Sequence, residues 1–500
     1  MLMKNWLLSV ALVMLTSLSF GQQPEELVVE PGDPGVLNLA VARHLDSVIY
    51  VLQRGEYYFL TERISTEYPL YIKAEDGDGP RPIIQCLPDQ EGANFALFSL
   101  GGNTLFEDLY ITGYDALGNL VKNIFRVDVD SIKFMMENCF IDYDQQCPTR
   151  INVQGVSVRF NNCTFRNISN VNDPNNGRIV DTRSNYTDSI SITNSTIYHT
   201  GDLLLRTADG ALNFFEFDHN TVYLTGEAFD VGMIKNVKIT NNILYNVEWQ
   251  GADSIPNVGY IFSFDSVGTT GAYTDAEREF DLSHNNLYME QSLIDIINSG
   301  KRTIPVFTDS VGTAFIAAGQ VDTTGLISEM LVFDNPPPPV DEYLQVFHDN
   351  YGIVDAIEVP NFWADADPLV PGEDDYTFNY TGVISVTGSD TGGPLGDPKW
   401  TATAYISGLY DRDKPIRPVI CYPNPAVDII NMKFNLVRQS DVTVQLFDVL
   451  GRIIKSVDYK GLPSGTNTIP VEIGKIDAGH YMYKLYIDNT EFDTGRILVK

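Results

Sequence analysis

Five short segments of this chain carry the side chains that chemistry on a sugar or a cation would need. They are Arg126-Val127-Asp128, Arg150-Ile151-Asn152, Asp181-Thr182-Arg183, Arg206-Thr207-Ala208 and Asp230-Val231. A guanidinium gives two parallel hydrogen bonds to a planar carboxylate or sulfate, which makes Arg126, Arg150, Arg183 and Arg206 candidates for holding an acidic sugar. Carboxylates such as Asp128, Asp181 and Asp230 can bind calcium or act as general acid or base. In a lyase, a basic side chain would remove the proton next to a neutralised uronate carboxylate. The same charges have a purely structural reading, because opposite charges on neighbouring strands stabilise a solvated sheet by pairing.

The segments precede a motif that recurs along the chain. It reads Phe134-x-Met136-x-Asn138-Cys139-x-Ile141, then Val158-x-Phe160-x-Asn162-Cys163-x-Phe165, then Ile190-x-Ile192-x-Asn194-Ser195-x-Ile197. Further copies are Phe215-x-Phe217-x-His219-Asn220-x-Val222, Val237-x-Ile239-x-Asn241-Asn242-x-Leu244 and Phe280-x-Leu282-x-His284-Asn285-x-Leu287. Apolar residues alternate with period two, so each copy is a strand with one buried face. The positions 139, 163, 195, 220, 242 and 285 step by 24, 32, 25, 22 and 43. A step in the twenties is one turn of a parallel β-helix, and longer steps place loops at its corners. The Asn or Cys slot marks a bend, where Asn tolerates the left-handed backbone and stacked side chains can bond from coil to coil. Cys163 follows Arg150 by 13 residues, Ser195 follows Arg183 by 12, Asn220 follows Arg206 by 14 and Asn242 follows Asp230 by 12. The charged segments should therefore stack about 4.8 Å apart as an outward ladder of alternating charge. A sandwich or propeller would need tight Asn-Gly or Asp-Gly hairpin turns between the runs, and the copies lack them.

Other chemistry is sparse. No nucleophile elbow, His-Glu-x-x-His, Walker loop or EF-hand loop occurs. Of the six histidines, His219 and His284 occupy slots where other copies carry Asn, and so read as corner residues. The five cysteines are too few and odd in number for a disulfide framework, and no Cys-x-x-Cys pair suggests zinc. Cys139 and Cys163, in one slot of adjacent coils, are read as buried thiols rather than a disulfide. Acidic residues number 66 against 33 basic, a net charge of −33 that excludes nucleic acid as a partner. It also makes a polyanionic glycan an awkward ligand unless a cation or a local basic patch helps.

Lys4, the apolar run Trp6 to Leu18 and the small residues of Ser19-Phe20-Gly21 read as a secretory signal peptide over residues 1–21. The run is shorter than the roughly 20 residues that cross a bilayer, so no transmembrane segment is expected in the mature chain. Leu37 to Leu45 is a short amphipathic helix suited to capping an open coil end. Val48 to Leu52, the turn Arg54 to Tyr57, the strand Pro69 to Ala74 and the acidic glycine turn Glu75 to Pro80 follow. This order, with Asp218 to Tyr223 and Ile239 to Leu244, resembles secreted pectate-lyase-like right-handed β-helix proteins over residues 35–300. In such folds the substrate groove of carbohydrate-active members lies along one outer face, which the resemblance assigns to the ladder. No match is found to the lysine-plus-arginine motif of calcium-dependent β-helix lyases or to the paired aspartates of polygalacturonases. From 301 to 407 the pattern fades, and Gly393 to Trp400 resembles a sequence that closes such coils in related proteins.

Residues 408–418, with Pro415 and Pro418, read as a linker, and 419–500 switch to short alternating strands of a small β-sandwich. Tyr422-Pro423-Asn424-Pro425-Ala426, Leu446 to Arg452, Gly479-His480-Tyr481 and Arg496 to Lys500 occur in order at the chain end. Together they resemble the type A C-terminal sorting domain of the type IX secretion system. That resemblance implies passage through the periplasm to the outer-membrane surface of a Gram-negative bacterium, or release from it. The expected architecture is all-β: a right-handed parallel β-helix over residues 22–407, regular at about 35–300, then the sandwich. The expected partners are an extracellular polysaccharide and the secretion machinery. The function is glycan binding, with a lyase or hydrolase acting on an acidic glycan as the alternative and calcium the cation to consider.

Overall fold

The computed structural model describes residues 25–43, 48–88, 96–115, 117–252, 259–268, 273–300, 302–350, 352–355, 357–364, 372–373, 375–404, 420–422, 426–436, 439–447, 452–463, 465–474, 476, 479–487 and 490–499. The signal-peptide and linker readings, and the Pro423 to Pro425 part of the tail motif, lie outside them. The chain divides into two units, residues 1–403 and 404–500.

The first unit is a parallel β-helix. One coil runs Lys133–Glu137, Phe140–Asp144 and Thr149–Ile151 before Val156–Asn161 starts the next. Each of these three strands belongs to a different sheet, which we call A, B and C in that order. Sheet A has 11 strands, from Glu25–Val29 to Val321–Asp322, while B and C have nine each among the described residues. Every pairing within the three is parallel and follows coil order, as in Phe134↔Val158↔Ile190↔Phe215↔Val237↔Phe280. The motif's alternating apolar residues point inward and stack. Phe98, Phe106, Phe125, Phe134, Phe160 and Phe165 form a run of ring contacts at 5.0–6.0 Å. All six are fully buried, and each contributes roughly 1.5–3 kcal/mol of transfer free energy. Helix α1, Val36–Arg43, buries Leu37 and Val41 in this core at the N-terminal end.

The corner between sheets A and B explains the motif's polar pair and divides its work between two residues. The first residue of each pair takes the left-handed backbone: Asn138, Asn162, Asn194, His219, Asn241 and His284 have φ between 51° and 59°. The second points inward and bonds to the next coil. Asn242 N–H donates to Asn285 Oδ1 at 2.9 Å, Asn220 N–H to Asn242 Oδ1 at 2.7 Å, and Ser195 N–H to Asn220 Oδ1 at 2.9 Å. Cys163 N–H then donates to Ser195 Oγ at 3.0 Å. Bend and ladder, expected in one slot, thus occupy adjacent ones. Cys139 and Cys163 are free buried thiols, as expected. Replacing Asn242 by Ala should cost about 1–3 kcal/mol, because the Asn220 N–H it serves stays buried without a partner and the Phe217 carbonyl loses a donor. A urea midpoint unchanged relative to the half-exposed Asn236→Ala would contradict this role.

Residues beyond 289, where the repeat is lost to the eye, extend the coils and cover one face. Val306–Thr308 continues sheet C and Val321–Asp322 continues sheet A. Helix α3, Ser310–Ala317, follows α2, Gln291–Ser299, and places Phe315 against Phe264 and Phe280. With α4, Asp341–Asp349, and a three-stranded sheet of Val332–Asn335, Thr377–Gly382 and Ala402–Ala404, the segment packs on the outer face of sheet B. There Tyr198, Tyr223 and Tyr245 share a second core with Leu293, Tyr343, Phe347 and Phe378. The Gly393 to Trp400 stretch packs on the side of the middle coils. Trp400 Nε1 donates to Thr196 Oγ1 at 2.7 Å, and Gly396 N–H to Asn241 O at 2.8 Å. Gly396 has φ +84°, and a Cβ there would meet Ile243 and Thr221 at 2.7 Å, so only glycine fits.

The second unit is a β-sandwich. Among the described residues its sheets hold three and four strands, with Ile429–Leu436 and Ser440–Phe447 contributing to opposite layers. Ile430, Met432, Val442, Val444, Leu446, Val471 and Leu485 form a core of their own between them.

Candidate functional site

The charged segments are the strands of sheet C and the turns that leave it. Register places Arg126 beside Arg150, Arg150 beside Asp181 and Asp181 beside Arg206, with Asp230 next in the column. The ladder exists, but its charges do not alternate: Arg126 and Arg150 are direct neighbours, about 4.8 Å apart at the backbone. A second column lies two residues further on, in the turns, and carries Asp128, Asn152 and Arg183. Arg183 therefore does not stand in the first column. It sits at φ 53° with its N–H on Asp181 Oδ1 at 2.9 Å, and its side chain is exposed.

The residues divide into three groups. Asp181, expected to point outward, is buried. Its carboxylate meets Arg206 at 3.1 Å and Arg178 at 4.0 Å, so Asp181 and Arg206 are chiefly a structural pair. Asp230 lies at an acidic end. Burial first, then Asp265 and Asp209, raise its carboxyl above the usual range against one hydrogen bond from Gly232 N–H. Arg126, Arg150 and Arg183 form a basic end. Among the described residues Asp128 pairs within 4 Å with Arg126, at 3.6 Å, and is held below the usual carboxylate range despite burial by Ser99 Oγ at 2.6 Å, Asn152 Nδ2 at 2.8 Å and the charges of Arg126 and Arg63. Arg150 bonds Asn152 Oδ1 at 3.1 Å and forms no ion pair within 4 Å among the described residues. Its pKa is lowered by burial and then by Arg183 and Arg126.

Sequence reasoning missed Arg63, which extends this basic end. It precedes the two-residue strand Ile64–Ser65, donates to Ala96 O at 3.2 Å, and is lowered by burial and then by Arg126. No copy of the motif surrounds it, so nothing in the repeat pointed there. The histidine reading stands: His284 Nδ1 contacts Gly388 O and His219 Nδ1 contacts Asp218 Oδ2, each at 3.0 Å, at corners. Among the described residues no three His, Cys, Asp or Glu side chains are arranged to hold a metal ion, and no helix is long and apolar enough to cross a membrane.

These features define a repeat protein: a long parallel β-helix with one face covered and one charged face open, followed in the chain by a terminal sandwich. Residues 420–500 match the family model of the secretion system C-terminal sorting domain. The sandwich is therefore a type IX sorting domain, and it directs the chain to secretion or cell-surface attachment. A search of curated proteins returns no match to the chain. Among solved structures, the chain is similar to the tailspike protein gp49 from Acinetobacter baumannii bacteriophage Fri1, a capsular polysaccharide depolymerase. The two are 10% identical with a TM-score of 0.28, over 95% of this chain and 83% of that one.

Proposed function

We propose that this is a protein of the outer-membrane surface, or one released from it, whose β-helix binds an acidic extracellular polysaccharide along the outer face of sheet C. One observation carries the reading. In a chain of net charge −33, Arg126 and Arg150 face each other in register with Arg183 beside them. Like charges directly opposite one another are destabilising. A chain that has twice as many acids as bases, yet leaves this repulsion standing, has kept a place for an external anion. A row of sugar carboxylates or sulfates running along the helix axis would supply that anion.

Arg150→Ala and Arg183→Ala should each weaken binding of an oligouronate by about 1–3 kcal/mol, the range for a lost charge-assisted hydrogen bond. Arg206→Ala should instead lower stability, because it strips a partner from buried Asp181. Binding that resists the Arg150/Arg183 double substitution would return the ladder to sheet pairing.

A lyase acting on the same acidic glycan is the second reading, favoured by the register that sets Arg126 beside Arg150 on the open face. In that reading Arg126 or Arg183 neutralises the uronate carboxylate, and Arg150, only once its guanidinium has lost a proton to solvent, takes the adjacent proton as the neutral guanidine. Ultraviolet absorbance of unsaturated products separates turnover from binding.

A further inference from the structure

The outer face of sheet A carries an open groove of ≈ 680 Å³ that the reading of sheet C does not use. Its floor is the column Met135, Arg159, Ser191 and Glu216, the residues between the two apolar positions of successive motif copies. Lys133 and Phe214 stand in the column alongside, at opposite ends of the groove.

Most polar groups here are engaged by neighbouring coils. Ser191 Oγ donates to one Glu216 oxygen at 2.8 Å, and Lys238 Nζ approaches the other at 3.3 Å. Asp218 accepts from Asn241 Nδ2 at 2.9 Å and from Thr240, and pairs with His219. Burial would raise its pKa, but these bonds hold it down to about 2. Three groups are left over. Arg159 is half-buried and makes no hydrogen bond and no ion pair within 4 Å among the described residues; its charge acts on Glu137, whose carboxylate is already taken by Asn161 Nδ2 at 2.7 Å. The Lys133 ammonium is exposed and meets no carboxylate within 4 Å among them. Phe214 is 38% exposed on a sheet face where its neighbours are polar.

A guanidinium without a hydrogen bond, an ammonium without a close carboxylate and an open aromatic face are complementary to one class of ligand. The guanidinium takes a planar anion in bidentate fashion, and the ring takes the apolar face of a pyranose. Arg159 and Phe214 are two strands apart, or about 10 Å along the helix axis, so a single sugar cannot reach both. We propose that this groove is a second glycan subsite. It takes two or more consecutive sugars of an acidic polysaccharide, with one carboxylate or sulfate on Arg159 and a neighbouring ring on Phe214. This assignment stands whether or not sheet C binds glycan.

Calorimetric titration of the full chain with galacturonate, guluronate and chondroitin sulfate oligomers, from monomer to hexamer, tests it. An Arg126→Ala/Arg150→Ala protein should still bind at least one of these series saturably, with affinity rising at least tenfold from monomer to trimer. Adding Arg159→Gln or Phe214→Ala should weaken that binding at least tenfold, while Phe214→Tyr should restore it. Melting curves of the variants should coincide, which ties the losses to binding. If binding disappears with Arg126 and Arg150 and ignores Arg159 and Phe214, the groove is overturned and sheet C alone is the site. If no oligomer binds the wild-type chain, both assignments fall.

Discussion

Asp142→Ala should destabilise the β-helix by about 3–5 kcal/mol, the cost of stranding one member of a buried ion pair. Asp142 and Arg166 are adjacent in register on sheet B, 2.8 Å apart and at most 1% exposed. Asn167 Nδ2 donates to the same carboxylate at 3.1 Å, and the Tyr110 hydroxyl donates as well. The guanidinium lies 4.9 Å over the Phe140 ring and donates to Gly372 O at 2.9 Å. Burial disfavours that guanidinium's charge, and Asp142 together with Tyr198 and Tyr110 more than offsets it and keeps the group protonated. Without the carboxylate, a cation stays in a dry site and two further donors lose their acceptor. Replacing both residues, as in Asp142→Leu/Arg166→Met, should recover much of the loss, since apolar pairs of similar volume often substitute for buried ions at little cost. Urea unfolding followed by far-ultraviolet circular dichroism reads both variants. A single substitution costing under about 1 kcal/mol, or a double no better than the single, would mean that the pair is not the element that fixes this face.

That pair shows where sequence reading stops. The inward apolar alternation and the Asn corner recur at nearly constant spacing, so Phe134, Phe160 and Asn242 announce the coil on their own. The sheet C ladder was visible too, because its strands lie at a fixed distance before each corner. Which charges in it would be free was not visible, since Asp181 is buried through Arg178 and Arg206 at separations set by loops. The sheet A groove was legible in principle: its floor is the unread position between apolar residues, and only the periodic positions drew attention. The cover over sheet B was not legible. Its contacts join residues far apart without a repeat, such as Trp400 with Thr196 and His348 with Trp249, and no local period encodes them. Asp142 and Arg166 sit in adjacent strands that look half-exposed by alternation and are fully buried because that cover is present.

Deleting residues 419–500 should abolish delivery to the cell surface while leaving the β-helix folded. The two units have separate hydrophobic cores. The clusters of the first include no residue beyond Ala402 among those described, and the cluster of the second begins at Ala426. Units joined by a boundary of that kind lose little stability when one is removed, so the melting transition of the truncated chain should match that of the first unit in the full protein. Export is another matter. A signal peptide carries a chain only across the inner membrane, and the sorting domain at 420–500 is what directs the next step. In a host with the type IX machinery, the truncated protein should accumulate in the periplasm or be degraded there, with surface labelling reduced to background. Fusing residues 419–500 to an unrelated periplasmic protein should send that protein outward in the same host and leave it in the periplasm of a host lacking the machinery. Undiminished surface labelling of the truncated chain would mean that the β-helix carries its own export signal. A truncated chain that fails to fold in vitro would mean instead that the sandwich is part of the structural core.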